Sequence, residues 1–138
     1  MLIIMEESDM TTNLQWPLKL MRVPANAPFF HGANLLIAAD CSAFAYPRFD
    51  EVYHSEGHVL VIGCPDAYGE SFMEKIEQIV KINDVQSVTL VKMSEDCCRR
   101  MSEYVMSAIR ASDKDIPLHH SSIIAYGERV DYSNMNND

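Results

Sequence analysis

Short apolar runs separated by polar stretches occupy the middle of the chain. Three of these runs are rich in branched side chains, which is typical of parallel strands buried on both faces. They cover residues 35–39, 59–62 and 87–91. Residues 18–23 alternate apolar with basic side chains, so we expect a half-exposed edge strand there. Residues 122–126 precede a Gly-Glu turn signal, which predicts a final strand or a hairpin with residues 129–132.

Two other segments, residues 71–81 and 98–111, have apolar positions that recur with the period of an α-helix. The first begins with a capping-box pattern formed by Ser71 and Glu74. Residues 41–57 contain a proline and several aromatic side chains, and we expect a packed loop with a short helix there. The alternation of strands and helices predicts a three-layer α/β fold, in which a mainly parallel sheet of about 4–5 strands has helices on both faces.

The length and composition indicate one domain. A chain of 138 residues, 48% of them hydrophobic, is long enough to bury a core of its own. It contains no repeat, no low-complexity tract and no Ser/Gly-rich linker. We assign residues 14–132 to a single α/β domain, residues 1–13 to a flexible N-terminal segment and residues 133–138 to a disordered tail.

Charge and hydropathy narrow the choice of partners. Eleven basic residues against 20 acidic ones give a formal charge of -9, which argues against nucleic acid and anionic membranes as partners. The apolar runs are far shorter than the ~20 residues that span a bilayer. The apolar residues 1–5 lack the basic start and the cleavage site of a signal peptide. We therefore expect a cytoplasmic protein.

Four cysteines follow the predicted strands at their carboxyl ends. Cys41 follows the first buried strand, Cys64 follows the second, and Cys97 and Cys98 follow the third. Because ligands of open α/β sheets bind at this edge, we expect the four thiols to form a common site for a metal ion or a cluster. The chain has no C-x-x-C spacing, so no standard zinc or ferredoxin pattern is present. The alternative is that these cysteines are small, inert core residues.

Cys97 and Cys98 also stand where a helix is expected to begin. The positive end of the helix dipole, together with Arg99 and Arg100, favours the thiolate, whereas Asp96 disfavours it. We expect one of the two cysteines to be the most reactive thiol of the chain. A thiol enzyme with Cys97 or Cys98 as its nucleophile is therefore a second candidate function.

Other polar side chains are weaker candidates. Asp40 and Asp66 stand beside cysteines at the same edge and would serve as oxygen ligands or bases, but turn or capping roles are the better expectation. His119 and His120 precede the last predicted strand, and we interpret them as surface residues. The chain has no G-x-G-x-x-G, G-x-S-x-G or Walker sequence, so dinucleotide binding, hydrolysis and phosphoryl transfer have no motif to support them.

Six blocks of sequence carry a resemblance to a known family. They read Leu-Gln-Trp-Pro-Leu from residue 14, Val-Pro-Ala-Asn-Ala-Pro-Phe-Phe from 23, Gly-Ala-Asn-Leu-Leu-Ile-Ala-Ala-Asp-Cys from 32, Ala-Phe-Ala-Tyr from 43, Ile-Gly-Cys-Pro-Asp from 62 and Asp-Cys-Cys from 96. Together they resemble the C-terminal domain of bacterial and archaeal 4Fe–4S ferredoxin-type iron–sulfur proteins, in which a two-cluster ferredoxin module precedes a domain of this size. The resemblance covers residues 14–126 and implies an association with iron–sulfur electron transfer.

The four cysteines occupy the cysteine positions of that family, and the chain departs from its pattern in two ways. The ferredoxin module with its cysteine-rich runs is absent, so the chain resembles a stand-alone version of the domain. The family's Pro-Cys-Cys-Gly-Gly block has its two glycines replaced by Arg99 and Arg100, which removes backbone freedom and adds two charges.

These observations favour a cytoplasmic, cysteine-bearing domain that works in iron–sulfur or redox electron transfer. In this hypothesis Cys41, Cys64, Cys97 and Cys98 bind a metal ion or an iron–sulfur cluster, and the partner is a ferredoxin-type iron–sulfur protein. The alternatives are the thiol enzyme and a non-catalytic interaction module with inert cysteines. The sequence identifies no substrate and no oligomeric state.

Overall fold

The computed structural model describes residues 18–53, 58–124 and 129–133. Within these ranges six strands form one sheet. They are β1 (Leu18–Lys19), β2 (Asn34–Ala39), β3 (His58–Gly63), β4 (Ser87–Met93), β5 (Leu118–Ile123) and β6 (Arg129–Ser133). The same ranges contain five α-helices. They are α1 (Ser42–Ala45), α2 (Phe49–Val52), α3 (Pro65–Tyr68), α4 (Glu70–Ile82) and α5 (Met101–Ser112).

The strands lie in the order β1-β3-β2-β4-β5-β6. Strands β1 to β5 are parallel, and β6 runs antiparallel to β5 as the second strand of a terminal hairpin. The chain adds β3 on one side of β2 and then returns to add β4 on the other side. This arrangement confirms the predicted α/β fold with a mainly parallel sheet, and it creates a switch point between β2 and β4.

Two apolar clusters cover the two faces of the sheet. On one face α4 and α5 pack against alternate strand residues such as Leu35, Ile37 and Leu90. On the other face the short helices α1 and α2 belong to a smaller cluster around Leu36 and aromatic side chains. The residues of β2 are buried on both sides, as its continuous apolar run predicts. Residues 41–57, expected to be a loop with one short helix, contain both α1 and α2.

The helix starts differ from the capping expectations. Gly69, with φ of 56°, occupies the N-cap position of α4 and makes no side-chain cap, so Ser71 lies inside the helix and the predicted capping box does not form. Helix α5 begins at Met101, three residues later than predicted. The amide of Cys98 donates to the carbonyl of Glu95 (2.9 Å) and forms a 3-10 turn over Asp96–Cys98 instead.

Strand β5 begins four residues earlier than predicted, which changes the interpretation of two histidines. His119 and His120 lie within the strand, where His119 is exposed and His120 is buried because successive strand residues face opposite sides. Nε2 of His120 lies 3.2 Å from Oγ of Ser122. The expectation that both are surface residues is therefore wrong for His120.

Several expectations concern residues outside the described ranges. The flexible segment 1–13 lies outside them, as does most of the tail at 133–138, although Ser133 itself ends β6. Among the described residues, no helix has both the length and the apolar character needed to cross a membrane.

Candidate functional site

The four cysteines lie at one edge of the sheet. Cys41 follows β2, Cys64 follows β3 directly, and Cys97 and Cys98 lie in the turn after β4. Because these three strands are parallel, their carboxyl ends meet at this edge. Burial and the charge of Asp40 raise the pKa of the Cys41 thiol, and smaller contributions come from Cys97 and Cys64. The thiols of Cys97 and Cys64 therefore lie near enough to Cys41 to influence its pKa.

The turn after β2 holds Cys41 on the surface. The amide of Asp40 donates to the carbonyl of Gly63 (3.1 Å), which ties this turn to the end of β3. The buried hydroxyl of Ser42 donates to the carbonyl of Ala39 (2.7 Å) and closes the turn. The carbonyl of Cys41 then accepts the amide of Phe44 (3.2 Å) as α1 begins, and its thiol stays exposed. Ser42 is a positioning residue that the sequence analysis did not identify.

Cys64 stands between β3 and α3, where its carbonyl accepts the amide of Ala67 (3.2 Å). Its side chain is half-buried. Gly63 precedes it and Pro65 opens α3, so the chain turns sharply from strand to helix at this point. Asp66, one residue further on, is exposed in the first turn of α3 and does not line the same cavity as Cys64.

The neighbouring cysteines after β4 differ strongly in environment. Cys97 is exposed, whereas the side chain of Cys98 is only 2% exposed and packs in the main core. Burial, with smaller contributions from the nearby Cys97 and Cys41, raises the pKa of Cys98 to about 11. Burial therefore makes Cys98 the less accessible of the two thiols, and the predicted reactive thiol of this pair would be the exposed Cys97. Helix α5 begins only at Met101, so neither cysteine lies in its first turn.

Arg99 and Arg100, which follow the two cysteines, are both exposed to solvent. Nη2 of Arg99 lies 3.1 Å from Oδ1 of Asp96 in an exposed ion pair. Arg99 and Arg100 both have right-handed helical backbone angles, which arginine adopts without strain. Together with Cys97 and Asp66 they line a polar hollow of about 420 Å³.

A second cavity, of about 520 Å³, opens at the ends of β1, β2 and β3. It is lined by Lys19, Met21, Arg22, Asp40, Cys41, Phe44, Ile62, Gly63, Cys64 and Tyr68. Sequence analysis identified only the two cysteines and Asp40 among these residues. Sequence analysis did not identify Lys19 and Arg22 as site residues, because the local sequence does not indicate which strand lies next to β1.

The structure brings the four cysteines to one edge without arranging them around one point. Within residues 18–53, 58–124 and 129–133, no three His, Cys, Asp or Glu side chains form a group that could hold a metal ion. Cys41 and Cys64 share one cavity, while Cys97 lines the other hollow and Cys98 lies in the core. Thiol ligands suit a soft metal ion. To bind one ion together, the loops that follow β2, β3 and β4 would have to move closer to one another.

Fold and site together define a doubly wound α/β domain with a cysteine-rich carboxyl edge. A family model described as a Rossmann-like domain matches residues 27–136, and the chain belongs to this family. An uncharacterized protein of Archaeoglobus fulgidus is 29% identical over 126 residues, which cover 86% of this chain and 88% of that protein. Neither description mentions iron–sulfur proteins, so that relationship stays a prediction. No solved structure matches the chain.

Proposed function

We propose that the carboxyl edge of this domain is a thiol site that binds a soft metal ion or an iron–sulfur cluster and takes part in redox electron transfer. The supporting observation is the placement of Cys41, Cys64 and Cys97 at one edge of the sheet, where Cys41 and Cys64 line the same cavity. It brings together thiols that follow three separate strands at the edge where ligands of such sheets bind. If the cysteines were only small core residues, there would be no physical reason for them to lie at the same edge of the sheet.

The accessible cysteines are the first ligands in this proposal. Thiolates favour zinc, copper(I) and iron–sulfur clusters over hard cations. Cys41 and Cys97 are exposed and Cys64 is half-buried, so these three would bind first. Cys98 would join them only if the 3-10 turn opened, because its side chain lies in the core. A bound cluster would supply one-electron transfer, which the side chains alone do not provide.

The proposed partner is a ferredoxin-type iron–sulfur protein, and the proposed compartment is the cytoplasm. The sequence blocks quoted above support the partner, since the resembling proteins join this domain to a ferredoxin module. All four cysteines are free thiols, as expected where the cell keeps thiols reduced.

The test is metal binding by the reduced chain. The protein is purified without air, and separate samples are reconstituted with iron and sulfide or titrated with cobalt(II), whose thiolate complexes absorb visible light. We expect sulfur-to-metal absorption from the wild type and a marked loss in Cys41→Ser, Cys64→Ser and Cys97→Ser.

Cys98→Ala is the matched control, because it removes a thiol adjacent to Cys97 that lies in the core rather than on the surface. We expect it to retain cobalt binding. If the wild type holds no metal, or if all four variants bind metal as the wild type does, the proposal is wrong. The non-catalytic interaction module then becomes the better hypothesis.

A further inference from the structure

The cavity between the ends of β1, β2 and β3 carries features that a thiol site does not require. We propose that it binds a small planar aromatic molecule with a single negative charge, such as an aromatic carboxylate or sulfonate. The proposal goes beyond the thiol function: Cys41 and Cys64 line the same cavity, but the side chains that recognise the ligand are not cysteines.

The size and lining of the cavity fit a small organic ligand. Pockets for such molecules typically hold ~300–1,000 Å³ and are mainly apolar with a few polar groups, and this one holds about 520 Å³. Met21 and Ile62 contribute apolar surface within it. Gly63 at the end of β3 also lines the cavity.

Two aromatic side chains in the cavity wall lack the burial that aromatic residues normally have. Phe44 on α1 is 92% exposed, and Tyr68 at the end of α3 is 50% exposed. They come from different helices yet line the same cavity. Exposed aromatic rings in a cavity wall are favourable partners for a flat ring, because stacking adds to the gain from apolar burial.

Two cations line the same cavity in a strongly acidic chain. Lys19 ends β1, and the next turn places Arg22 nearby, because the amides of Arg22 (2.9 Å) and Val23 (3.0 Å) both donate to the carbonyl of Lys19. Both basic side chains are exposed and line the cavity. Since the chain as a whole carries a charge of -9, a local pair of cations favours an anion at this position.

Asp40 limits the charge of the ligand. It is the acidic side chain among the lining residues, so the cavity wall carries two positive charges and one negative charge. This balance matches a monoanion. A polyphosphate would bring several negative charges against a single net positive charge and close to the Asp40 carboxylate.

The test uses two fluorescent probes of nearly the same shape. One is 1-anilinonaphthalene-8-sulfonate, an aromatic monoanion, and the other is N-phenyl-1-naphthylamine, which lacks the sulfonate. Both are titrated into the reduced, metal-free full chain. We expect the anion to bind more tightly, and amide NMR shifts of Gly63 and Tyr68 on adding the anion should place it in this cavity.

Two variants separate the aromatic from the charge contribution. Phe44→Ala should weaken both probes roughly three- to tenfold, because both lose a stacking partner. Lys19→Gln/Arg22→Gln should weaken the anion by about threefold to tenfold and leave the neutral probe unchanged. Phe44, Lys19 and Arg22 are exposed, so these variants should fold, and circular dichroism verifies it.

Phe29→Ala and Lys81→Gln are the matched controls, since both residues are exposed and neither lines the cavity. We expect both controls to bind the two probes as the wild type does. Equal affinity of the wild type for the two probes would overturn the proposal. Equal losses in Phe44→Ala and Phe29→Ala, or no shift of the Gly63 amide, would overturn it as well.

Discussion

Gly63 and the ring of Phe72 pack so closely that a β-carbon on Gly63 would lie 3.0 Å from Cε2 of Phe72. Gly63 is the last residue of β3, directly before Cys64, and Phe72 is a fully buried residue of α4. The contact therefore joins the strand end that carries a candidate thiol to a helix that covers the sheet. The missing side chain at position 63 allows this close approach.

Gly63→Ala should destabilise the domain by about 1–3 kcal/mol, because the added methyl group crowds a filled core. Alanine also lowers the conformational entropy of the unfolded chain, but this stabilises the folded domain by only ~0.4–1 kcal/mol. Urea unfolding measures the free energy of unfolding. In a double-mutant cycle with Phe72→Leu, the combined loss should be smaller than the sum of the single losses. Strictly additive losses would show that the Phe72 ring is not the obstacle.

Cys97 should react with iodoacetamide at least about tenfold faster than Cys98 near neutral pH. Cys97 is exposed, whereas Cys98 is buried and has a pKa of about 11, so little of it is thiolate at that pH. Mass spectrometry of Cys97→Ser and Cys98→Ala, each of which retains one thiol of the pair, measures the two rates. In concentrated urea the two rates should converge. Equal rates in the folded protein would contradict the buried position of Cys98.

His120 should make the protein less stable as the pH falls. Burial, with a smaller contribution from the charge of Lys92, lowers the pKa of His120 to about 4. Between the unfolded-state pKa of ~6.5 and the folded-state value, the unfolded chain binds a proton that the folded chain does not. Stability is therefore lost as the pH falls from about 6.5 to 4, by up to about 3 kcal/mol from this residue.

Unfolding of the wild type and His120→Gln at pH 7 and pH 4.5 measures this contribution. We expect the acid-induced loss to be smaller in His120→Gln, because glutamine does not titrate. His119→Gln is the matched control, since His119 is the exposed neighbour in the same strand and should leave the loss unchanged. The same loss in wild type and His120→Gln would show that His120 is not its source.

The fold was more predictable from the sequence than the site. The run at 35–39 is apolar without interruption, and only a strand buried on both faces suits it, so its position in the sheet was predictable. The start of α5 was not predictable from the sequence. Cys98 lies in a 3-10 turn before the helix, and its burial there depends on contacts with the rest of the core. The pairing of β1 with β3 places Lys19 beside Ile62, and no local pattern indicates this neighbour.

The four cysteines illustrate the same limit within the site. Their position at one edge was predictable, because each cysteine follows a predicted parallel strand in the sequence and the carboxyl ends of parallel strands meet at one edge. Their differences in exposure were not predictable. Cys97 and Cys98 are adjacent, and only the packing of the turn decides which of the two is buried in the core. Sequence therefore located the edge, while packing determined which thiols are accessible there.

Arg99→Gly/Arg100→Gly should bind more metal than the wild type while lowering the melting temperature. Both arginines have right-handed backbone angles that hold the turn in which Cys98 is buried. Glycine at each position costs roughly 0.5–1 kcal/mol of helical preference and opens left-handed conformations. A looser turn would let Cys98 leave the core and join Cys97, Cys41 and Cys64 as a ligand.

Arg99→Ala/Arg100→Ala is the matched control, because it removes the same two charges and keeps the backbone restricted. Metal content after anaerobic reconstitution with iron and sulfide should increase in the glycine variant and not in the alanine variant. An equal increase in both variants would assign the effect to charge rather than to backbone freedom. If the glycine variant holds no more metal than the wild type, the turn does not limit binding, and Cys98 stays a core residue whatever follows it in the chain.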